Sequence, residues 1–160
     1  MGGDNVPMSD LKDRLRADLT TAMKSRDELR SSTLRMLLAA ITTAEVAGKQ
    51  PRELSDDDVV GVLSTEAKKR REAADAFEGG GRTEQAAKER AEAAVIAGYL
   101  PEQMSEDEIE ALVTETIDGL GVREDGPRAM GRVMGALTPK TKGRADGGAV
   151  AAVVRRQLGA

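Results

Sequence analysis

The stretch Tyr99-Leu100-Pro101-Glu102-Gln103-Met104-Ser105-Glu106-Asp107-Glu108-Ile109 contains both an ending and a beginning. Pro101 pushes Leu100 out of the helical region of backbone space, so a helix arriving at Gly98 stops here. Ser105 and Glu108 then stand at the S-x-x-E spacing of a capping box, in which a hydroxyl and a carboxylate satisfy two orphan N–H groups of a helix start. Ile109, Leu112, Val113, Ile117 and Leu120 follow as a helical stripe. The stretch therefore predicts two helical domains that meet at Pro101.

Upstream, Ser9 reads as a cap for a helix along Leu11, Leu15, Leu19 and Met23, running to about Lys24. A second helix, from about Arg26 to about Gly48, carries Leu29, Leu34, Leu37, Leu38, Ile41 and Ala44. Ser55 precedes Asp56, Asp57 and Asp58, a hydroxyl cap followed by carboxylates at the positive end of a helix dipole. That third helix uses Val59, Val60, Val62, Leu63, Ala67, Ala74 and Phe77 and ends at Gly79-Gly80-Gly81. A fourth runs from about Thr83 through Ala87, Ala91, Ala94 and Val95 to Gly98.

Downstream, Asp125-Gly126-Pro127 reads as an N-cap with proline in the first turn, leading a helix that buries Met130, Val133, Met134 and Leu137. Gly131 and Gly135 within it suggest close approach of another backbone or a ligand, the plainer alternative being close helix packing. Thr138 to Gly148 reads as a loop, and a last helix points Val150, Val153, Val154 and Leu158 inward. No alternating β-branched run appears, so no sheet is expected. The fold class is all-α: about four helices, paired as hairpins, over 9–100 and a three-helix tail domain over 101–160. Residues 1–8 read as a disordered or added tail, and Met8 can itself serve as an initiator.

The absence of Cys and His removes disulfides, thiolate metal sites, the commonest general base and the commonest zinc ligand. Neither a Ser-x-x-Lys in apolar surroundings nor a Gly-x-Ser-x-Gly elbow is present, and Gly79-Gly80-Gly81-Arg82-Thr83 lacks the phosphate-loop pattern. The consecutive carboxylates of Asp56 to Asp58 point in different directions on a helix and read as dipole compensation. No catalytic residue, metal site or cofactor is expected. The longest strongly apolar stretch, Met36 to Ile41, is far short of the roughly 20 residues of a membrane helix. The start of the chain has no apolar leader, and a cytoplasmic location is expected.

Charge is unevenly placed. The chain totals −4, yet residues 121–160 hold eight basic and three acidic side chains. Such a reversal points to nucleic-acid contact. Arg128 and Arg132 are four apart, Lys140, Lys142 and Arg144 lie on a glycine-containing loop, and Arg155 and Arg156 lie on the last helix; these are the candidate nucleic-acid-binding residues. With Phe77 and Tyr99 the only aromatics, phosphate and shape contacts must dominate over base stacking. Lys68-Lys69-Arg70-Arg71 wraps around its helix and reads as a solvated face paired with Glu66, Glu72 or Asp75.

Several blocks follow one another in order: Glu66-Ala-Lys-Lys-Arg-Arg-Glu72, Gly81-Arg82, Tyr99-Leu-Pro-Glu-Gln-Met-Ser-Glu106, Ala129-Met-Gly-Arg-Val-Met134 and Gly143-Arg-Ala-Asp-Gly147. Together they resemble the GatB/YqeY family, from about Ser9 to the C-terminus. The resemblance implies a helical domain followed by a smaller helical tail, the tail similar to the part of the GatB subunit of tRNA amidotransferase that contacts the tRNA body. GatB's larger catalytic portion and the amidase subunit's Ser and Lys machinery have no counterpart here. A carbon–nitrogen ligase label with glutamine as amido donor would thus describe a complex and not the isolated chain. The expected partner is tRNA, with an amidotransferase or synthetase beside it; the alternative is a protein-interaction adaptor docking on such a partner.

Overall fold

The computed structural model describes residues 10–159, so the expected tail and the Ser9 cap lie outside the described residues. It contains seven α-helices and, among the described residues, no strand: α1 (Asp10–Lys24), α2 (Glu28–Glu45), α3 (Asp56–Gly79), α4 (Thr83–Ala97), α5 (Glu106–Leu120), α6 (Met130–Thr141) and α7 (Gly147–Gln157). A 3₁₀ stretch, Arg123–Ala129, precedes α6. The helices fall into two compact units, residues 1–100 and 101–160.

In the first unit α3 and α4 form the most extensive helix pair, and α1 and α2 the next. Its core gathers Leu15, Leu34, Leu37, Ile41, Leu54, Val59, Leu63, Ala67, Ile96 and Tyr99. The capping box at Ser55 forms: its hydroxyl accepts from the Asp58 N–H at 3.1 Å, and the Asp58 carboxylate accepts from the Ser55 N–H at 3.2 Å. Those bonds, with the Arg52 guanidinium beside them, hold the Asp58 carboxyl below its ordinary range. Leu54 before the cap and Val59 after it are both buried in this core, as in a hydrophobic staple. The three consecutive aspartates serve separate ends, since Asp56 accepts from the Leu11 N–H at 3.1 Å.

The apolar stripes shift in three places from the sequence expectation. Met23 is 51% exposed and Ala22 takes its place in the core, while Leu29 is also exposed, at 36%. The α1–α2 turn is tighter than expected: Arg26 takes a left-handed φ of 59°, the Asp27 N–H reaches back to the Ala22 carbonyl, and Asp27 caps α2. This rotates Leu29 outward. In α4 the buried positions are Ala86, Glu92, Ala93 and Ile96 rather than Ala87, Ala91 and Ala94. Alanines surround this helix, so its sequence holds no single apolar face from which to read the register.

The second unit encloses Ile109, Val113, Ile117, Val122, Ala129, Val133, Leu137, Val150, Val154 and Leu158. The Ser105–Glu108 capping box is present, and Met104 packs on the core that holds Ile109, repeating the staple of α3. Two expectations are corrected here. Gly126 adopts φ 64° and ψ −147°, breaking the chain inside the 3₁₀ stretch, so Asp125 makes no side-chain cap and α6 begins only at Met130. Its other end extends through Pro139 to Thr141, past the expected loop start. The carbonyl that Pro139 leaves without a helical N–H belongs to the exposed Gly135, where water can serve it. A Cβ at Gly131 or Gly135 would meet nothing within 4 Å, so among the described residues no other backbone comes close to either glycine.

Candidate functional site

The basic residues of the second unit divide into three groups along its helices. Arg128, in the 3₁₀ stretch, and Arg132, in α6, are both exposed and line one pocket of about 400 Å³ with Val122, Asp125 and Ala129. Arg128 Nε donates to the Asp125 carbonyl at 3.5 Å. Lys140 lies on the last turn of α6 and not on a loop; Lys142 and Arg144 follow it. Eight residues of helix, about 12 Å of rise, separate Arg132 from Lys140. Arg144 is only half exposed, and its Nε donates to the Glu102 carbonyl at 3.1 Å.

Arg155 and Arg156 occupy the last turn of α7, where cations complement the helix dipole. Arg156 is ion-paired with Glu110 of α5. Thus the structure joins Arg128 to Arg132 in one pocket, leaves Lys140 and Lys142 exposed at the far end of α6, and commits Arg144 and Arg156 to partners within the unit. Among the described residues, no ion pair occupies Arg128, Arg132, Lys140, Lys142 or Arg155.

The segment 102–104 is bound to the α6–α7 connection. The Met104 N–H donates to the Arg144 carbonyl at 2.8 Å, and Gln103 Nε2 donates to the Gly143 carbonyl at 2.7 Å. With the Arg144–Glu102 bond, these contacts fix the Gly143-Arg144 turn against the start of α5.

The cation run of α3 is largely paired. Lys69 meets Glu66 at 3.4 Å, Lys68 meets Glu72 at 4.0 Å, and Arg70 reaches Glu89 at 3.5 Å and Glu92 at 3.9 Å across the α3–α4 pair. Burial, with the neighbouring Glu89 charge, pushes the Glu92 carboxyl above its ordinary range. Among the described residues no cluster of three or more carboxylates is arranged to hold a metal, and no helix is long and apolar enough to cross a membrane.

A polar centre that sequence reasoning missed lies in the first unit. Tyr99 is 7% exposed, and its hydroxyl donates to Asp18 Oδ2 at 2.5 Å. Arg30 Nη1 donates to the same hydroxyl oxygen at a long 3.4 Å. The Arg14 guanidinium carbon stands 4.8 Å from the ring centroid, within cation–π range, and its Nε is 4.0 Å from Asp18. Burial first, then the bond to Asp18 and that residue's charge, push the phenol up to about 12. These side chains line a pocket of about 390 Å³ with Thr21, Ala94, Val95 and Gly98. The signals in the sequence were a lone tyrosine and the i, i+4 pair Arg14 and Asp18; what it did not supply was the meeting of α1, the start of α2 and the end of α4.

Comparison with known proteins gives a family. The chain is 31% identical over 143 residues to the "Altered inheritance of mitochondria protein 41, mitochondrial" of Pyrenophora tritici-repentis, covering 88% of this chain and 76% of that protein. It is 35% identical over 92 residues to an uncharacterized protein of Schizosaccharomyces pombe, covering 57% of this chain and 72% of that one. The model of the Yqey-like protein family matches residues 12–158, which takes in both helical units. The chain belongs to the Yqey-like protein family.

Proposed function

We propose that the chain is a non-catalytic accessory protein that binds tRNA through the cations of residues 121–160 and serves tRNA-dependent amidation by a partner enzyme. In this reading the two compact units are separate domains, with residues 101–160 as the RNA-facing tail. The observation that carries it is the pocket shared by Arg128 and Arg132, two guanidinium groups free of carboxylate pairing that phosphate oxygens can fill. Lys140 and Lys142 extend the same sign of charge along the unit. The reading keeps the protein in the cytoplasm, whereas the fungal relative is named as mitochondrial; fractionation of cells carrying the tagged chain separates these.

Filter binding of tRNA across a salt series tests the proposal. Each phosphate contact contributes a slope of about −0.9 in log K against log salt. Arg128→Ala with Arg132→Ala should weaken binding and reduce that slope by up to about 2. Lys140→Ala with Lys142→Ala should act in the same direction. Affinity and slope unchanged in both double variants would remove these four cations from RNA binding and overturn the proposal.

The adaptor reading is favoured by a different feature. Ala40, Thr43, Ala44 and Ala47 of α2 and its C-terminal turn face Val62 and Thr65 of α3 across a pocket of about 380 Å³, and nearby in the chain Val46 is 56% exposed. A protein that stays bound after nuclease treatment, and is lost from an Ala44→Arg variant, would place the function on this face.

A further inference from the structure

The pocket around Tyr99 has no part in the tRNA reading, and its chemistry is specific. It presents two guanidinium groups and one carboxylate, a net charge of +1. The carboxylate, Asp18, is already engaged by the Tyr99 hydroxyl at 2.5 Å. A guanidinium offers five N–H donors. Arg30 spends one on the phenol oxygen at 3.4 Å, and Arg14 lies over the ring with an ion pair of 4.0 Å. Most of their donors are uncommitted.

Because the Tyr99 proton is directed to Asp18, the phenol oxygen presents lone pairs to Arg30 and helps fix that guanidinium. The buried ring fixes Arg14 from below. Each of these exposed guanidinium groups thereby has one resting contact before any ligand arrives, which lowers the ordering cost of binding. The lining also includes the apolar side chains of Ala94 and Val95. The volume, about 390 Å³, falls within the range of small-molecule sites.

We propose that this pocket binds a small, singly charged carboxylate, its oxygens held by Arg14 and Arg30 and its short apolar body resting against Ala94 and Val95. Single charge follows from the +1 of the lining, which one carboxylate neutralises. A carboxylate rather than a backbone phosphodiester follows from those apolar side chains, which suit a hydrocarbon body and not a flanking ribose.

The test is an amide NMR titration of the full chain with sodium acetate, sodium butyrate and dimethyl phosphate, each at constant ionic strength. Butyrate should give saturable shifts at Thr21, Gly98 and Tyr99 and bind at least ~4-fold more tightly than acetate, since each methylene leaving water is worth about that factor. Arg30→Ala should weaken butyrate at least about 10-fold, with Arg30→Lys falling between because an ammonium lacks the planar fork. Arg128→Ala with Arg132→Ala should leave it unchanged. Shifts with dimethyl phosphate alone would make this a nucleic-acid contact and overturn the proposal. So would shifts that do not saturate, butyrate binding no tighter than acetate, or binding that survives Arg30→Ala in a variant whose helical spectrum matches the parent.

Discussion

Tyr99 combines burial, a short bond to Asp18 and two neighbouring arginines, and its ionisation is the most direct readout of that arrangement. Its ordinary value is 10.0, and the fold raises it to about 12. As the sole tyrosine in a chain without tryptophan, it can be titrated by phenolate absorbance without ambiguity. Half-ionisation is expected near pH 12 in the parent, and lower in Asp18→Asn, though still above 10 because burial is the largest cause. The folded state holds this proton more tightly than the unfolded chain, so stability from Tyr99 is intact below pH 10 and is lost as pH rises toward 12. Glu92 follows the same sign at the acid end. Its folded value is raised above 4.5, so the stability it contributes is present below that pH and lost as pH rises through the folded value. Glu92→Gln should therefore raise the urea midpoint at pH 7, and the gain should vanish near pH 4. Neither centre was readable from the sequence: that of Tyr99 joins the end of α4 to α1 and α2, far apart in the chain, and that of Glu92 depends on a register of α4 that its alanines leave open.

Among the elements, the starts of α3 and α5 were the most legible. Leu54-Ser55 with Asp58-Val59, and Met104-Ser105 with Glu108-Ile109, carry cap, carboxylate and staple in adjacent positions, and each is a local interaction that the sequence alone determines. Registers were harder. Where one face is plainly apolar, as in α5, the buried set was clear; in alanine-rich α4 only the packing on α3 selects Ala86, Ala93 and Ile96. The end of α6 was hidden by Pro139, which usually closes a helix but here sits in its last turn with an exposed glycine four residues before it. That same helix carries two glycines with open space at their Cβ positions and no left-handed φ. Gly131→Ala and Gly135→Ala should each stabilise the protein by about 0.5–1 kcal/mol through helix propensity, measured by urea denaturation. A loss of stability in either would mean that a neighbour approaches the helix in solution.

Across the whole molecule, each unit carries its own hydrophobic cluster, with no residue common to both. The two-domain reading therefore predicts that residues 101–160, expressed alone, give a helical circular-dichroism spectrum and a cooperative melt. At 60 residues such a unit is small enough to be only marginally stable, and a non-cooperative loss of signal would show that its core is insufficient alone. The charge reversal lies inside this unit and not at the boundary between units. Residues 101–120 hold seven acidic and no basic side chains, and the remaining forty hold eight basic and three acidic ones. Ion pairs join these sets: Arg123 meets Asp118 at 2.9 Å and Arg156 meets Glu110.

Segregation of this kind, with one sign on α5 and the other on α6 and α7, gives the second unit an electric dipole that its small net charge conceals. A charged surface approaching it exerts a torque before any atom touches, so the unit turns its cationic helices toward a polyanion and α5 toward a polycation. Retention on ion-exchange resins should accordingly follow local charge more than isoelectric point.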